Sequence, residues 1–130
     1  MDKYKVKRQV TNILNDLISI RRHLHANPEL SYNETKTSQY ISNLLTEWQI
    51  PHNTGIGGYG IVGMIQGKNP ESKVIALRAD MDALPIAEQN SVEYKSLNDN
   101  VMHACGHDGH MTCLLGAIKI LNENRENFNG

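Results

Sequence analysis

Nine consecutive residues, Met102-His103-Ala104-Cys105-Gly106-His107-Asp108-Gly109-His110, hold three of the chain's six histidines, one of its two cysteines and an aspartate. Thiolate, imidazole and carboxylate are the side chains that bind borderline transition metals. Gly106 and Gly109 leave the backbone free to turn, so neighbouring side chains can converge on one point. An apolar helical run, Met111 to Leu121, follows directly and gives the cluster a rigid support. The plainer reading is a helix-entry turn with Asp108 as its N-cap and the histidines in solvent. A single histidine would fit that reading. Three histidines packed beside a cysteine favour a metal or catalytic role.

A second constellation lies upstream. Asp80 and Asp82 follow the apolar run Lys73-Val74-Ile75-Ala76-Leu77, which reads as a strand apolar on both sides, as in a buried sheet interior. Ligand sites of open α/β sheets gather outside the carboxyl ends of strands. Two carboxylates two residues apart share one face of an extended segment. Such a pair can bind a metal, or orient a ligand histidine through a hydrogen bond. By itself it serves equally well as a solvated turn.

The elements that must position these residues are legible from periodicity. Val10, Ile13, Leu14, Leu17, Ile18 and Leu24 recur at helical spacing and predict a helix over 6–25, ended by Asn27-Pro28. Tyr40, Ile41, Leu44, Leu45 and Trp48 predict a second helix over about 34–48, with Asn33 as its N-cap and Trp48 in the core. Ile61–Ile65 reads as a short strand after a glycine-rich turn. Gly55, Gly57 and Gly60 match a dinucleotide-binding pattern by letter. They neither follow a clear strand nor open a helix, which excludes that reading. Residues 86–101 read as an exposed loop with at most one short strand, and the last helix is expected over about 109–122.

Length and charge narrow the classes further. A chain of 130 residues is one small domain, and a net charge of −1 gives no argument for nucleic acid or a membrane surface. No apolar run reaches the length of a membrane span, and no signal-type apolar block follows the charged N-terminus. Two cysteines eight residues apart are no disulfide framework, so a reducing cytoplasm is the expected location. Without a CxxC pair or a four-ligand set, a purely structural or redox metal module is disfavoured.

Three segments together resemble one family. Arg21-Arg22-His23-Leu24-His25-Ala26-Asn27-Pro28-Glu29-Leu30-Ser31, Arg78-Ala79-Asp80-Met81-Asp82-Ala83-Leu84-Pro85 and His103–His110 are similar, in this order, to the motifs of the aminoacylase/carboxypeptidase-like zinc metallopeptidase superfamily. The match is to its amidohydrolase branch, which holds hippurate hydrolases, N-acetyldiaminopimelate deacetylases and auxin-conjugate hydrolases. The resemblance implies an α/β fold, the N-terminal part of a zinc-peptidase-like three-layer catalytic domain with a central mixed sheet. It implies hydrolysis of the amide of N-acyl amino acids, a small-molecule substrate and no nucleic-acid or membrane partner. It also implies two divalent ions in the complete enzyme: zinc or manganese, with cobalt or nickel also admitted. Cys105 and His107 match metal ligands. Asp80 and Asp82 match the catalytic and metal-supporting aspartates, and which does which is left open. Family enzymes run to about three times this length and are often homo-oligomers. The expectation is therefore that residues 1–130 carry part of an active site. A Glu-Glu pair, further histidines and the lid or dimerisation domain would lie elsewhere. The alternative is a non-catalytic remnant of such an enzyme.

The other notable side chains take plainer roles. His23 and His25 are expected to pack at or cap a helix end, His52 to lie in a surface loop, and Arg78 to pair with a carboxylate near the sheet edge. Cys113 is expected in the core, among Met111, Leu114 and Leu115.

Overall fold

The computed structural model describes residues 2–130. Three helices, α1 (Lys3–Ala26), α2 (Thr35–Glu47) and α3 (His107–Glu123), accompany a hairpin of β1 (His52–Ile56) and β2 (Gly60–Gly63). Between β2 and α3 the chain runs through long, largely irregular segments.

Helix α1 begins where the Asp2 side chain accepts from the Tyr4 amide at 3.1 Å. It ends where Asn27 returns both its backbone N–H and its side-chain amide to the His23 carbonyl, at 3.1 and 2.8 Å. Pro28 then prevents further helix. Helix α2 is capped from a distance. The Glu29 carboxylate accepts from the amides of Lys36 and Thr37 and from the Thr37 hydroxyl, at 3.1, 2.8 and 2.9 Å. Asn33 does not cap it. The N-cap residue is Glu34, which makes no side-chain cap bond, because Glu29 already meets the free amides.

The core joins Ile20 and Leu24 of α1, Ile41 and Leu45 of α2, Ile50, and Met111 and Leu115 of α3. Trp48 packs against it, partly buried. Helices α1 and α3 pack tightly at Gly116, where an added Cβ would lie 3.0 Å from Leu17 Cδ1. The α1 stripe is only partly used, since Val10, Leu14 and Ile18 stay exposed. Cys113 is also exposed, against expectation. Its helix turns Met111, Thr112 and Leu115 inward, and position 113 falls on the outer side.

The β1–β2 pair is antiparallel, with His52 opposite Gly63 and Thr54 opposite Ile61, and its register is irregular between Thr54 and Ile56. Gly60 must be glycine, because a Cβ there would sit 2.4 Å from the Ile56 carbonyl oxygen. His52 is no loose surface residue. It opens β1 and is held by Ser42 at 2.8 Å and by the Ile50 carbonyl at 2.9 Å.

The expected buried strand over Lys73–Leu77 is not formed. The segment is unpaired, and Val74 and Ile75 are 92% and 74% exposed. A run apolar on both faces needs cover on both faces and a neighbour at its edge. Among the described residues nothing supplies them. Among the described residues the sheet is therefore the two-stranded hairpin alone.

Candidate metal centre

Single-residue bridges assemble the site. Leu30 pairs with Ala83, and Leu84 pairs with Met102 through reciprocal 3.0 Å hydrogen bonds. The aspartate segment thus lies beside the loop that leads into α3. Gly106, at φ 80°, is the N-cap of α3, a left-handed conformation that favours glycine. His107 is the first residue of the helix.

His107 meets Asp82. Its Nδ1 lies 2.9 Å from the Asp82 carbonyl oxygen and 3.1 Å from Oδ1. Both partners are acceptors, so Nδ1 carries the proton and donates. Nε2 is left with its lone pair free, as a histidine needs before it can ligate a metal. The His110 ring lies 5.9 Å from that of His107, centroid to centroid. Asp80 points to Arg78 instead, accepting from Nη2 at 2.6 Å and Nε at 3.1 Å. That hydrogen bond, and then the guanidinium charge, hold the Asp80 carboxyl below its ordinary range, with His107 and His110 adding smaller pulls in the same direction. The expected partner for Arg78 is thus Asp80. Cys105 is exposed on the loop between Met102 and His107.

The structure brings Asp82 to His107 and keeps Asp80 within electrostatic reach of both histidines. Among the described residues, no three His, Cys, Asp or Glu side chains are gathered closely enough to hold a metal by themselves. The donor set still fits a divalent ion in part: an accessible thiol, an imidazole with its tautomer fixed, and a supporting carboxylate.

Behind this surface lies a closed ionic network. Asp108, 1% exposed, accepts from Arg21 Nε at 2.9 Å and from His25 Nδ1 at 2.7 Å. His25 Nε2 reaches Glu88 Oε1 at 3.0 Å. The Ser96 amide and the Asn90 side chain complete Glu88, at 2.7 and 3.1 Å. Burial works against the Glu88 charge. The Ser96, His25 and Asn90 hydrogen bonds outweigh it and hold the carboxyl down at about 2. Asp108 is therefore an inward-facing ion-pair partner and no N-cap, and Glu88 is a buried member of a loop that reads as exposed. His23, by contrast, stacks on Tyr40 at 4.0 Å. His103 is buried, with neither ring nitrogen hydrogen-bonded, and burial pushes its pKa down.

The site thus joins His107 at the start of α3 to Asp82, with the exposed Cys105 two residues before it in the chain. Residues 76–130 match the model of peptidase family M20/M25/M40. The whole chain is 44% identical to an N-acyl-L-amino acid amidohydrolase of Geobacillus stearothermophilus, and covers 35% of that protein. Its fold superposes with a TM-score of 0.92 on a protein of methicillin-resistant Staphylococcus aureus described as an aminohydrolase, at 37% identity, over all of this chain and 34% of that one. A TM-score of 0.87 relates it to the Bacillus subtilis YXEP protein, described as a dinuclear metal-binding peptidase of family M20. That match has 40% identity over 92% of this chain and 34% of the other. The chain is similar to peptidases of family M20 and to amidohydrolases, and spans about a third of the length of these relatives. No helix among the described residues is long and apolar enough to cross a membrane.

Proposed function

We propose that this chain contributes the first half of a metal-dependent active site that hydrolyses the amide bond of N-acyl amino acids. One observation carries the reading: the Asp82 carboxylate and carbonyl occupy His107 Nδ1 and leave Nε2 free to ligate. Cys105 and His107 are the ligands, from the two ends of the Cys-Gly-His turn. Asp82 is the supporting aspartate. Asp80, held ionised by Arg78, is the second acidic group of the site. Two divalent ions, when bound, polarise the scissile carbonyl and acidify a water. A thiolate ligand favours zinc, and the mixed donor set also admits manganese, cobalt or nickel.

Residues 1–130 offer two ligands and two carboxylates. A hydrolase of this kind also needs enough donors for both ions, and a base within hydrogen-bond reach of the attacking water. We expect the 130-residue chain alone to show no turnover. The test has two arms. A polypeptide of the relatives' full length carrying this sequence is assayed for release of amino acid from N-acetyl and N-benzoyl substrates, with and without Cys105→Ser. Loss of bound metal and of most turnover in the variant is expected, and wild-type levels of both would remove Cys105 from the ligand set. Chelator-sensitive turnover by the 130-residue chain itself would refute the incomplete-site reading.

A further inference from the structure

Burying a histidine between two carboxylates is costly unless the arrangement is fully paired. Here it is. Both ring nitrogens of His25 face carboxylate oxygens, Asp108 at 2.7 Å and Glu88 at 3.0 Å, and Arg21 Nη2 also lies 3.3 Å from Nδ1. With Arg21, the network joins four ionisable side chains through this ring. His25 joins residues 83 positions away on one side and 63 on the other. Among the described residues it is the one side chain of α1 that bonds both to α3, at Asp108, and to the 88–96 loop, at Glu88.

We propose that His25 is a positioning residue for the metal centre. It holds Asp108, and Asp108 is the neighbour of His107 in the first turn of α3. Successive helical residues point about 100° apart. Clamping Asp108 inward therefore fixes where His107 points, and so how its ring meets Asp82. Arg21 Nε and His25 Nδ1 converge on the same Asp108 oxygen, Oδ2, at 2.9 and 2.7 Å, and the Arg21 side chain, 36% exposed, is the looser of the two anchors. The second anchor comes from His25, itself braced by Glu88. The Ser96 amide and Asn90 fasten Glu88 in turn, so the loop at 88–96 is tied to the metal turn through one ring. This inference rests on the metal-centre reading above.

The test uses His25→Gln, which has one donor group and cannot meet both partners along the directions of the ring. Two readouts are made on the 130-residue chain, with Trp48 fluorescence confirming that each sample is folded. The first is cobalt(II) affinity, expected to fall about 10- to 100-fold, the range for residues that support a ligating histidine. The second is amide exchange in the metal-free chain. The Gly109 and His110 amides, bonded to the Gly106 carbonyl at 3.0 and 3.1 Å, should exchange about tenfold faster, with α2 amides unchanged. A merely structural role would speed exchange throughout the core and lower affinity only with the folded fraction. Unchanged affinity and unchanged exchange at these two amides would overturn the proposal. Failure of the wild-type chain to bind cobalt would instead overturn the metal reading, while the exchange readout still judges the role of His25. If His25→Gln does not fold, Glu88→Gln provides the same comparison. It leaves the His25–Asp108 bond in place and should give smaller changes of the same sign, and none at all would refute the brace.

Discussion

Replacing Asp108 by alanine tests whether the buried network holds α3 in place. The carboxylate is 1% exposed and serves both Arg21 and His25. Removing one partner of a buried ion pair costs about 3–5 kcal/mol, because the remaining charge stays in the interior. The two partners are not equally trapped. The Arg21 side chain is 36% exposed and can turn towards water, whereas that of His25 is 5% exposed and cannot. The loss should therefore fall at the lower end, about 3 kcal/mol. A domain of this size has about 5–15 kcal/mol in total. With a urea slope of about 1.5–2 kcal/mol per molar, the midpoint should drop by about 1.5–2 M. Asp108→Asn keeps an acceptor oxygen but loses the charge, and should cost about 1.5–3 kcal/mol. Trp48, the single tryptophan, reports the transition. It lies where the Lys119 ammonium covers its ring at 5.0 Å and Asn122 bonds its carbonyl at 3.2 Å, so its emission follows docking of α3. A midpoint shift below about 0.3 M for the alanine variant, at unchanged slope, would show that the network does not hold the helix.

Two further outcomes follow from the same structure. Glu88 has its carboxyl lowered from 4.5 to about 2, so its contribution is fully present above pH 4.5 and is lost as the pH falls towards 2. In acid titration Glu88→Gln should be the less stable protein at pH 6 and should show a shallower loss across that window. An identical slope would contradict the assignment. Gly116→Val adds bulk where even a Cβ meets Leu17 at 3.0 Å, and should destabilise by about 1–3 kcal/mol. Leu17→Ala in the same chain should recover part of that loss in a double-mutant cycle, and strict additivity would place the close contact elsewhere.

Local signals in the sequence reached far into this fold, and their limits are physical. The periodicity of residues 6–25 and 34–48 locates α1 and α2 closely, because amphipathic spacing is a property of the segment itself. It does not say which of several apolar residues find a partner, so Ile20 and Leu24 are inside while Val10, Leu14 and Ile18 are not. The run Lys73–Leu77 reads as a buried strand, yet burial depends on neighbours that the described residues do not provide. Capping of α2 by Glu29 and the tie between His52 and Ser42 join positions seven or more apart, with no pattern between them. At the site, residue types and spacing singled out the segment 102–110 and the pair Asp80 and Asp82, and the family resemblance implied Cys105 and His107 as the ligands within it. The pairing of Asp82 with His107, and of Asp80 with Arg78, needed coordinates. The network of Arg21, His25, Glu88 and Asp108 was illegible for the same reason. Its only sequence trace is that Arg21, His25 and Asp108 fall inside two of the three family-like segments.

The central claim is that Cys105 and His107 bind one metal ion together, and cobalt(II) titration of the 130-residue chain measures it most directly. A thiolate ligand gives cobalt an intense sulfur-to-metal charge-transfer absorption, which oxygen and nitrogen ligands do not. Cys113, exposed on the outer side of α3, is the internal control. The account predicts a saturable charge-transfer band in the wild-type chain. Cys105→Ser should abolish it, His107→Ala should weaken it strongly, and Cys113→Ser should leave it unchanged. A band that survives Cys105→Ser, or one that disappears with Cys113→Ser, would contradict the account.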